Sequence, residues 1–264
     1  MNNTFNAQRF GFLFRKTLLE RPVQLIGAPG LIFALVGIIY FICKSIIGFG
    51  PAQNISFIWG LAGGGCFYAS FMFNYFSSNA MGSSFLTLPV SALEKWICAV
   101  LVAGIFYPLL FLIFFRTIDV GFVAWYHHGL DQGNPMYKRL YDDVFLFSLT
   151  GRIAIKVYSL FLLLSGVALI GALYFNKVSF LKTAIAFCLV MVAIFGLNWL
   201  MAKLMFGQIN DAAPFNHVSV PMGKEEGSIE LPKNWYKVSF VTLDWIIPVI
   251  FWTLTYIRLR EKEF

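Results

Sequence analysis

The side chains that could carry charge or a proton through this chain are few, and several lie in or beside apolar stretches. Asp244 lies early in an apolar stretch, while Arg152 and Lys156, four residues apart, flank the start of another. Charged groups at membrane depth are costly and often functional. We interpret Asp244 as one half of a structural ion pair with Arg152, Lys156 or Lys203, and a proton relay is the alternative. The two flanking cations could also reach an interface with their long side chains.

Metal-binding and nucleophilic chemistry have no support in the sequence. There is no HExxH, no GxSxG and no Ser/His/Asp order. His127, His128 and His217 lack further ligands at the spacing that a metal site needs. The four cysteines lie inside or at the end of apolar stretches, far apart in sequence, and are interpreted as small core residues: Cys43, Cys66, Cys98 and Cys188. We therefore predict no catalytic residue and no metal site.

The most informative stretch is LTLPVSALEKW, from Leu86 to Trp96. Pro89 ends any preceding helix. Ser91-x-x-Glu94 fits a capping box, in which each side chain accepts a hydrogen bond from the other residue's backbone N–H. On these residues alone, the plain interpretation is a well-capped helix start at a membrane interface.

A second motif consists of small residues. Gly60 and Gly64 form a GxxxG within the apolar stretch that follows residue 55. Such a pair lets two helices approach closely. Packing within the chain is the simpler interpretation, and a homodimer contact or a pore-lining face is the alternative.

Composition defines the class of protein that carries these residues. Of 264 residues, 59% are hydrophobic and only 12% are charged, whereas soluble domains have about a quarter charged residues. The net charge of +7 comes with no basic run longer than two residues, which favours lipid headgroups over nucleic acid as the partner. No cleavable signal peptide is evident, so we expect the first span to be retained.

The apolar stretches predict an all-α membrane protein that forms a single transmembrane domain over residues 1–264. Residues 5–21 are apolar on one helical face and charged on the other, with Asn6 as a cap, and predict an amphipathic interfacial helix. We predict six spans, at about 25–43, 56–76, 93–115, 154–175, 182–206 and 238–257. The connectors 116–152 and 207–237 are long, and the second could hold a small hairpin.

The distribution of charge predicts the orientation. With the N-terminus inside, six spans return the C-terminus inside, and the short inside segments hold ten of the 20 basic residues and four of the 13 acids. These residues are Arg9, Arg15, Lys16, Arg21, Lys95, Lys177, Lys182, Arg258, Arg260, Lys262, Glu20, Glu94, Glu261 and Glu263. Both termini are therefore predicted to be cytoplasmic.

A lead-in helix, six spans and a Leu-Pro-Val-Ser link followed by charges resemble the transmembrane subunits of type-2 ABC exporters. The C-terminal TYIRLREKEF also looks like the tails of uncharacterised bacterial permease-like proteins. The resemblance implies that the link docks on an ATPase subunit through Leu88, Pro89, Val90, Ser91, Glu94 and Lys95. The connector 116–152 departs from the family, where a tight turn is common.

No G-x-x-x-x-G-K-[ST] occurs in the sequence, so ATP and Mg²⁺ would be bound by a separate ABC ATPase subunit. The expected function is that of a permease subunit of an ATP-driven exporter in the bacterial inner membrane. It would not itself be an enzyme, and it would pair with a second permease as a homodimer or heterodimer. Wide Phe-rich faces favour a lipid-like cargo. The alternative is a membrane scaffold or anchor in a larger envelope assembly that does not transport.

Overall fold

The computed structural model describes residues 5–262, apart from 21, 78, 176–177, 215–216, 223–224, 231, 233–234, 236–237 and 240. Of the residues used to predict the orientation, Arg21, Lys177 and Glu263 lie outside the described ones. The helices are α1 (Ala7–Glu20), α2 (Ala28–Ile47), α3 (Phe49–Ile58), α4 (Gly64–Ser70), α5 (Asn79–Leu86), α6 (Ala92–Ala99), α7 (Tyr107–His128), α8 (Tyr137–Asp143), α9 (Arg152–Tyr174), α10 (Ser179–Phe206) and α11 (Ile247–Glu261).

Wider, π-helical segments continue several of these helices. Val23–Gly27 precedes α2, Trp59–Gly63 joins α3 to α4, Val100–Phe106 joins α6 to α7, and Thr242–Ile246 precedes α11. Each junction keeps helical backbone angles on both sides, so the joined pieces form continuous rods.

Five helical stretches in the described part of the chain are long and apolar enough to cross a bilayer. They are Val23–Ile47, Ala92–His128, Arg152–Tyr174, Ser179–Phe206 and Thr242–Glu261. The chain is thus a helical multi-pass membrane protein. The connector 207–237 adds a small antiparallel sheet of order β1-β2-β3, with β1 Asp211–Ala213, β2 His217–Met222 and β3 Glu225–Glu230.

The predicted second span is helical from Phe49 to Ser70 but does not belong to these five stretches. Its polarity fits its central place. Gln53 and Ser56 are buried, as are Gly60 and Gly64, because α2, α7 and α9 surround this helix. A helix that faces other helices needs small residues more than apolar ones.

The predicted third span ends much too early. The helix was expected to stop at residue 115, but it continues to His128. Buried side chains recur every fourth residue through the extension, and this series includes Phe111, Phe115, Asp119 and Val123. Arg116 and Asp119 interrupt the apolar run, which is why the run seemed to end there.

The two ends of the helical bundle differ. The basal end comprises α1, residues 74–77 and 79–96, and Lys262. There, Tyr75 donates a hydrogen bond to Glu20 (3.3 Å), and the Lys262 ammonium lies 4.3 Å from the centre of the Phe76 ring. The ends of the N-terminal and C-terminal helices therefore contact neighbouring residues, Tyr75 and Phe76, at this end. The distal end comprises the end of α7, residues 137–149 and the sheet, which α10 holds through an Asn198–Ala212 hydrogen bond of 3.1 Å.

Candidate functional site

The link between the helix that ends at Ser70 and the one that begins at Ala92 contains a short exposed helix, α5, at the basal end. α5 ends in a turn in which Thr87 N–H donates to Ser83 and Val90 N–H donates to Leu88 (2.9 and 2.7 Å). Leu88 is half-buried. The outward surface of the link consists of Met81, Ser83, Ser84, Thr87 and Pro89.

Glu94 is the centre of this region. The predicted capping box is present, because Ser91 N–H donates to Glu94 Oε2 (2.9 Å) and Glu94 N–H donates to Ser91 Oγ (3.3 Å). The second carboxylate oxygen binds α1: Asn6 N–H donates to it at 2.7 Å, and the Arg9 guanidinium pairs with it at 3.2 Å. Glu94 is fully buried. One carboxylate therefore joins the start of α1 to the start of α6.

Asn6 also serves as the predicted cap of α1. Its side-chain oxygen accepts from the backbone N–H of Gln8 (2.9 Å) and of Arg9 (3.3 Å). Asn6 thus has two roles: its side chain caps α1, and its backbone N–H binds Glu94. The hydrogen bonds on the two sides of Asn6 fix the angle at which α1 leaves the bundle.

Lys95 holds the other side of the link. It is 2% exposed, its ammonium donates to the Leu86 carbonyl at 3.3 Å, and it lies 5.4 Å from the centre of the Phe85 ring. Leu86 ends α5, so Lys95 ties the link helix to α6. Val90 and Ser91 are buried as well. The predicted link residues therefore separate into an exposed Pro89, a half-buried Leu88 and a buried set that positions them.

The outward charges at the basal end are mostly positive. Arg15, Lys16 and Arg260 are exposed. Of the acids at this end, Glu20 is exposed, Glu261 is exposed but pairs with Arg258, and Glu94 is buried beside Arg9. Partial burial and the neighbouring positive charge lower the pKa of Lys262, which follows the last span. An acidic surface of a partner protein, or anionic lipid, would complement this end.

Gly60 and Gly64 face the chain's own helices. A Cβ on Gly60 would overlap the Phe111 ring, and one on Gly64 would overlap the Tyr107 hydroxyl and lie 2.6 Å from Ile32 Cγ2. The Tyr107 hydroxyl donates to the Gly60 carbonyl at 2.6 Å. The pair therefore lets the central helix pack tightly against α2 and α7.

Asp244 is half-buried in the π-helical segment before α11, close to the charge of Lys156 and to the Ser159 hydroxyl. No ion pair within 4.0 Å joins it to Arg152 or Lys156 among the described residues, and both cations are exposed. The structure thus places Asp244 near Lys156 as a neighbour rather than as a tight partner.

A second fully buried acid is Asp119, which the sequence pattern assigned to a connector. It is 0% exposed. One carboxylate oxygen accepts from the Tyr40 hydroxyl (2.7 Å) and from Gln53 Nε2 (2.9 Å), and the other accepts from Phe147 N–H (2.8 Å). Hydrogen bonds rather than a counter-charge therefore stabilise this carboxylate.

Asp119 helps to hold residues 144–149, a segment outside the helices and the sheet that we call the strap. Helical side chains bind its backbone along its length: Gln53 donates to Phe145 (2.9 Å), Arg116 to Phe147 (3.1 Å), and Tyr158 to Leu149 (2.9 Å). His127 Nε2 lies 3.0 Å from the Val144 carbonyl. Backbone groups of a non-helical segment need hydrogen-bond partners where water is excluded. Side chains of the surrounding helices supply them here, so the strap is fixed to the distal end by these hydrogen bonds.

Sequence reasoning missed Tyr40, Gln53 and Asp119. The four-residue spacing from Tyr107 through Phe111 and Phe115 to Asp119 was a usable signal, since it continues the buried face of one helix. The histidines offered no comparable signal. His127 stacks on Tyr141 at 3.9 Å between ring centres, and in the part of the chain that the structure describes no three His, Cys, Asp or Glu side chains lie close enough to hold a metal.

Comparisons of this chain with protein-family models, with curated proteins and with solved structures find no match. Its function is therefore inferred from its own residues and their geometry.

Proposed function

We propose that this chain is the membrane-spanning subunit of an ATP-driven ABC exporter and that a separate ATPase chain binds its basal end. The observation that carries the proposal is the short helix α5, exposed between the second and third spans and anchored at both sides by Lys95 and Glu94. A docking element must be accessible, yet firmly attached to the helices that it moves. α5 meets both requirements.

The attachment gives a path for force. A push on α5 reaches α6 through the Lys95–Leu86 hydrogen bond, and it reaches α1 through the Glu94 contacts with Asn6 and Arg9. α6 continues without a break into the third span. Closure of two ATPase subunits, which would bind ATP and Mg²⁺, would thus tilt the spans of a permease dimer between inward-open and outward-open states. Apolar Phe-rich faces suit a lipid-like cargo.

The proposal includes six spans, with Phe49–Ser70 as the second. This helix has 22 residues, which is enough to cross the roughly 30 Å hydrocarbon core. An even number of spans agrees with the position of α1 and the end of α11 at the same, basal end, where they contact Tyr75 and Phe76. We place that end in the cytoplasm of a bacterium, where α1 lies in the inner-membrane interface and its cations face anionic headgroups.

The test is co-purification of the detergent-solubilised chain from its native host with a tag on the C-terminus. We expect a stoichiometric soluble ATPase, which Ser84→Arg on the outward side of α5 releases. Ser45→Arg is the matched control, because Ser45 is also an exposed serine bonded to its own helix, at the other end of the bundle. Recovery of no ATPase from the wild type would overturn the proposal.

The small sheet and the strap favour a second candidate, a scaffold subunit without transport activity. Both structures lie at the distal end and offer a surface for a partner in the envelope. The same co-purification distinguishes the two candidate functions, because a scaffold subunit would co-purify with envelope proteins and not with an ATPase.

A further inference from the structure

An apolar groove of about 760 Å³ runs along the outside of the bundle between α2 and α7. Every residue that lines it is apolar. The residues that define its length and floor are Phe33, Gly37, Phe41, Phe114, Gly121 and Trp125. None of the described elements covers this groove, and it belongs neither to α5 nor to the strap.

The shape of the groove fits a single flexible chain. From Phe33 to Phe41 the helix rises about 12 Å at 1.5 Å per residue. Two glycines line the base of the groove and leave space where other residues would place a side chain. A Cβ on Gly121 would meet nothing within 4 Å, and one on Gly37 would come 3.4 Å from Ile118. The groove therefore extends along the helices for about 12 Å and is open to the surroundings of the bundle.

A cation stands at the distal end of the groove. Lys44 lies three residues beyond Phe41 on α2, and its ammonium is 3.9 Å from the centre of the Trp125 ring and 5.2 Å from that of Phe122. A third ring, that of Phe49, lies 4.8 Å away. Within the described residues, Lys44 makes no ion pair and donates no hydrogen bond. Three N–H donors thus remain available beside an apolar channel.

We propose that the groove binds one acyl chain of an anionic bilayer phospholipid, with the Lys44 ammonium bound to its phosphate. The apolar lining matches the acyl chain, and the charge of Lys44 matches the headgroup. A second copy of this chain is a poorer fit, because two copies packed symmetrically groove to groove would bring two Lys44 ammonium groups together. The inference rests on the membrane location alone and does not depend on transport.

The test is native mass spectrometry of the full-length protein, titrated in detergent with dioleoyl phosphatidylglycerol or with zwitterionic dioleoyl phosphatidylcholine. We expect phosphatidylglycerol to bind more tightly, and Lys44→Gln to weaken its binding about tenfold, as the loss of one charge-assisted hydrogen bond implies. Gly121→Leu should abolish binding of both lipids at this site, because the new side chain occupies the open floor.

Two matched controls should leave lipid binding unchanged. Lys203→Gln removes a lysine that also lies over a tryptophan ring, Trp199 at 4.8 Å, but on α10 away from the groove. Gly196→Leu adds the same side chain to a helical glycine with open space around it. An equal loss of phosphatidylglycerol binding in Lys44→Gln and Lys203→Gln would overturn the proposal. So would a protein dimer that Gly121→Leu abolishes while lipid binding stays intact, since the occupant would then be a second copy.

Discussion

Among single residues, Glu94 and Asp119 are both fully buried, and each binds parts of the chain that are far away in sequence. The Ser91–Glu94 capping box spans three residues, so its pattern is visible in the sequence. The partners of Asp119 are 79, 66 and 28 residues away, and nothing in the sequence joins Tyr40, Gln53 and Phe147 to it. The further contacts of Glu94 with Asn6 and Arg9 were hidden for the same reason.

Asp119→Leu should be among the most destabilising single changes in the protein. It leaves the Tyr40 hydroxyl, one N–H of the Gln53 amide and the Phe147 N–H without an acceptor, and each such loss costs about 1–3 kcal/mol. We expect a fall of about 3 kcal/mol or more in the free energy of unfolding, measured by thermal unfolding in detergent. Asp142→Leu, an exposed acid at the same end, should have little effect, and an equal effect of both changes would argue against the network.

At the scale of elements, helices were easier to locate than their ends. The apolar runs marked the spans, but the polar residues inside the third span masked its continuation to His128. The strap could not be predicted from the sequence, because its position depends on hydrogen bonds from side chains of three different helices. The predicted connector 116–152 thus consists largely of the end of α7, the short helix α8 and the strap.

Gly64→Ala and Gly196→Ala should change stability in opposite directions. Both glycines lie in helices, where alanine is better by about 1 kcal/mol. At Gly196 the added methyl meets open space, so this gain is retained. At Gly64 it overlaps Tyr107 and Ile32, and overpacking costs about 1–3 kcal/mol. The measurement is the melting temperature of each variant in one detergent, which should rise for Gly196→Ala and fall for Gly64→Ala. A rise for Gly64→Ala would refute the close packing of the central helix.

At the scale of the whole molecule, composition was sufficient to predict a multi-pass membrane protein. The predicted second span, at about 56–76, falls on the central helix Phe49–Ser70, which carries Gln53, Ser56 and several glycines in place of apolar side chains. Such a helix is protected from lipid by its neighbours, and only the packed structure reveals that protection.

Cysteine labelling tests the proposed topology. After replacement of the four native cysteines, Ser84→Cys and Arg260→Cys should react with an impermeant maleimide only in permeabilised spheroplasts. Asp142→Cys and Ser228→Cys should react in intact ones. All four positions are exposed, so burial cannot explain a lack of labelling. Labelling of Ser84→Cys and Asp142→Cys from the same side would exclude the six-span arrangement.

The rod from Ala92 to His128 has 37 residues, so it is about 55 Å long, nearly twice the thickness of the hydrocarbon core. In a rod of that length, a small rotation displaces the far end by a large distance: a tilt of about 10° about its basal end moves the other end by about 10 Å. The tip carries His127, which lies against the strap. In the proposed exporter, a small movement at α5 would therefore produce a much larger displacement at the far end of the rod.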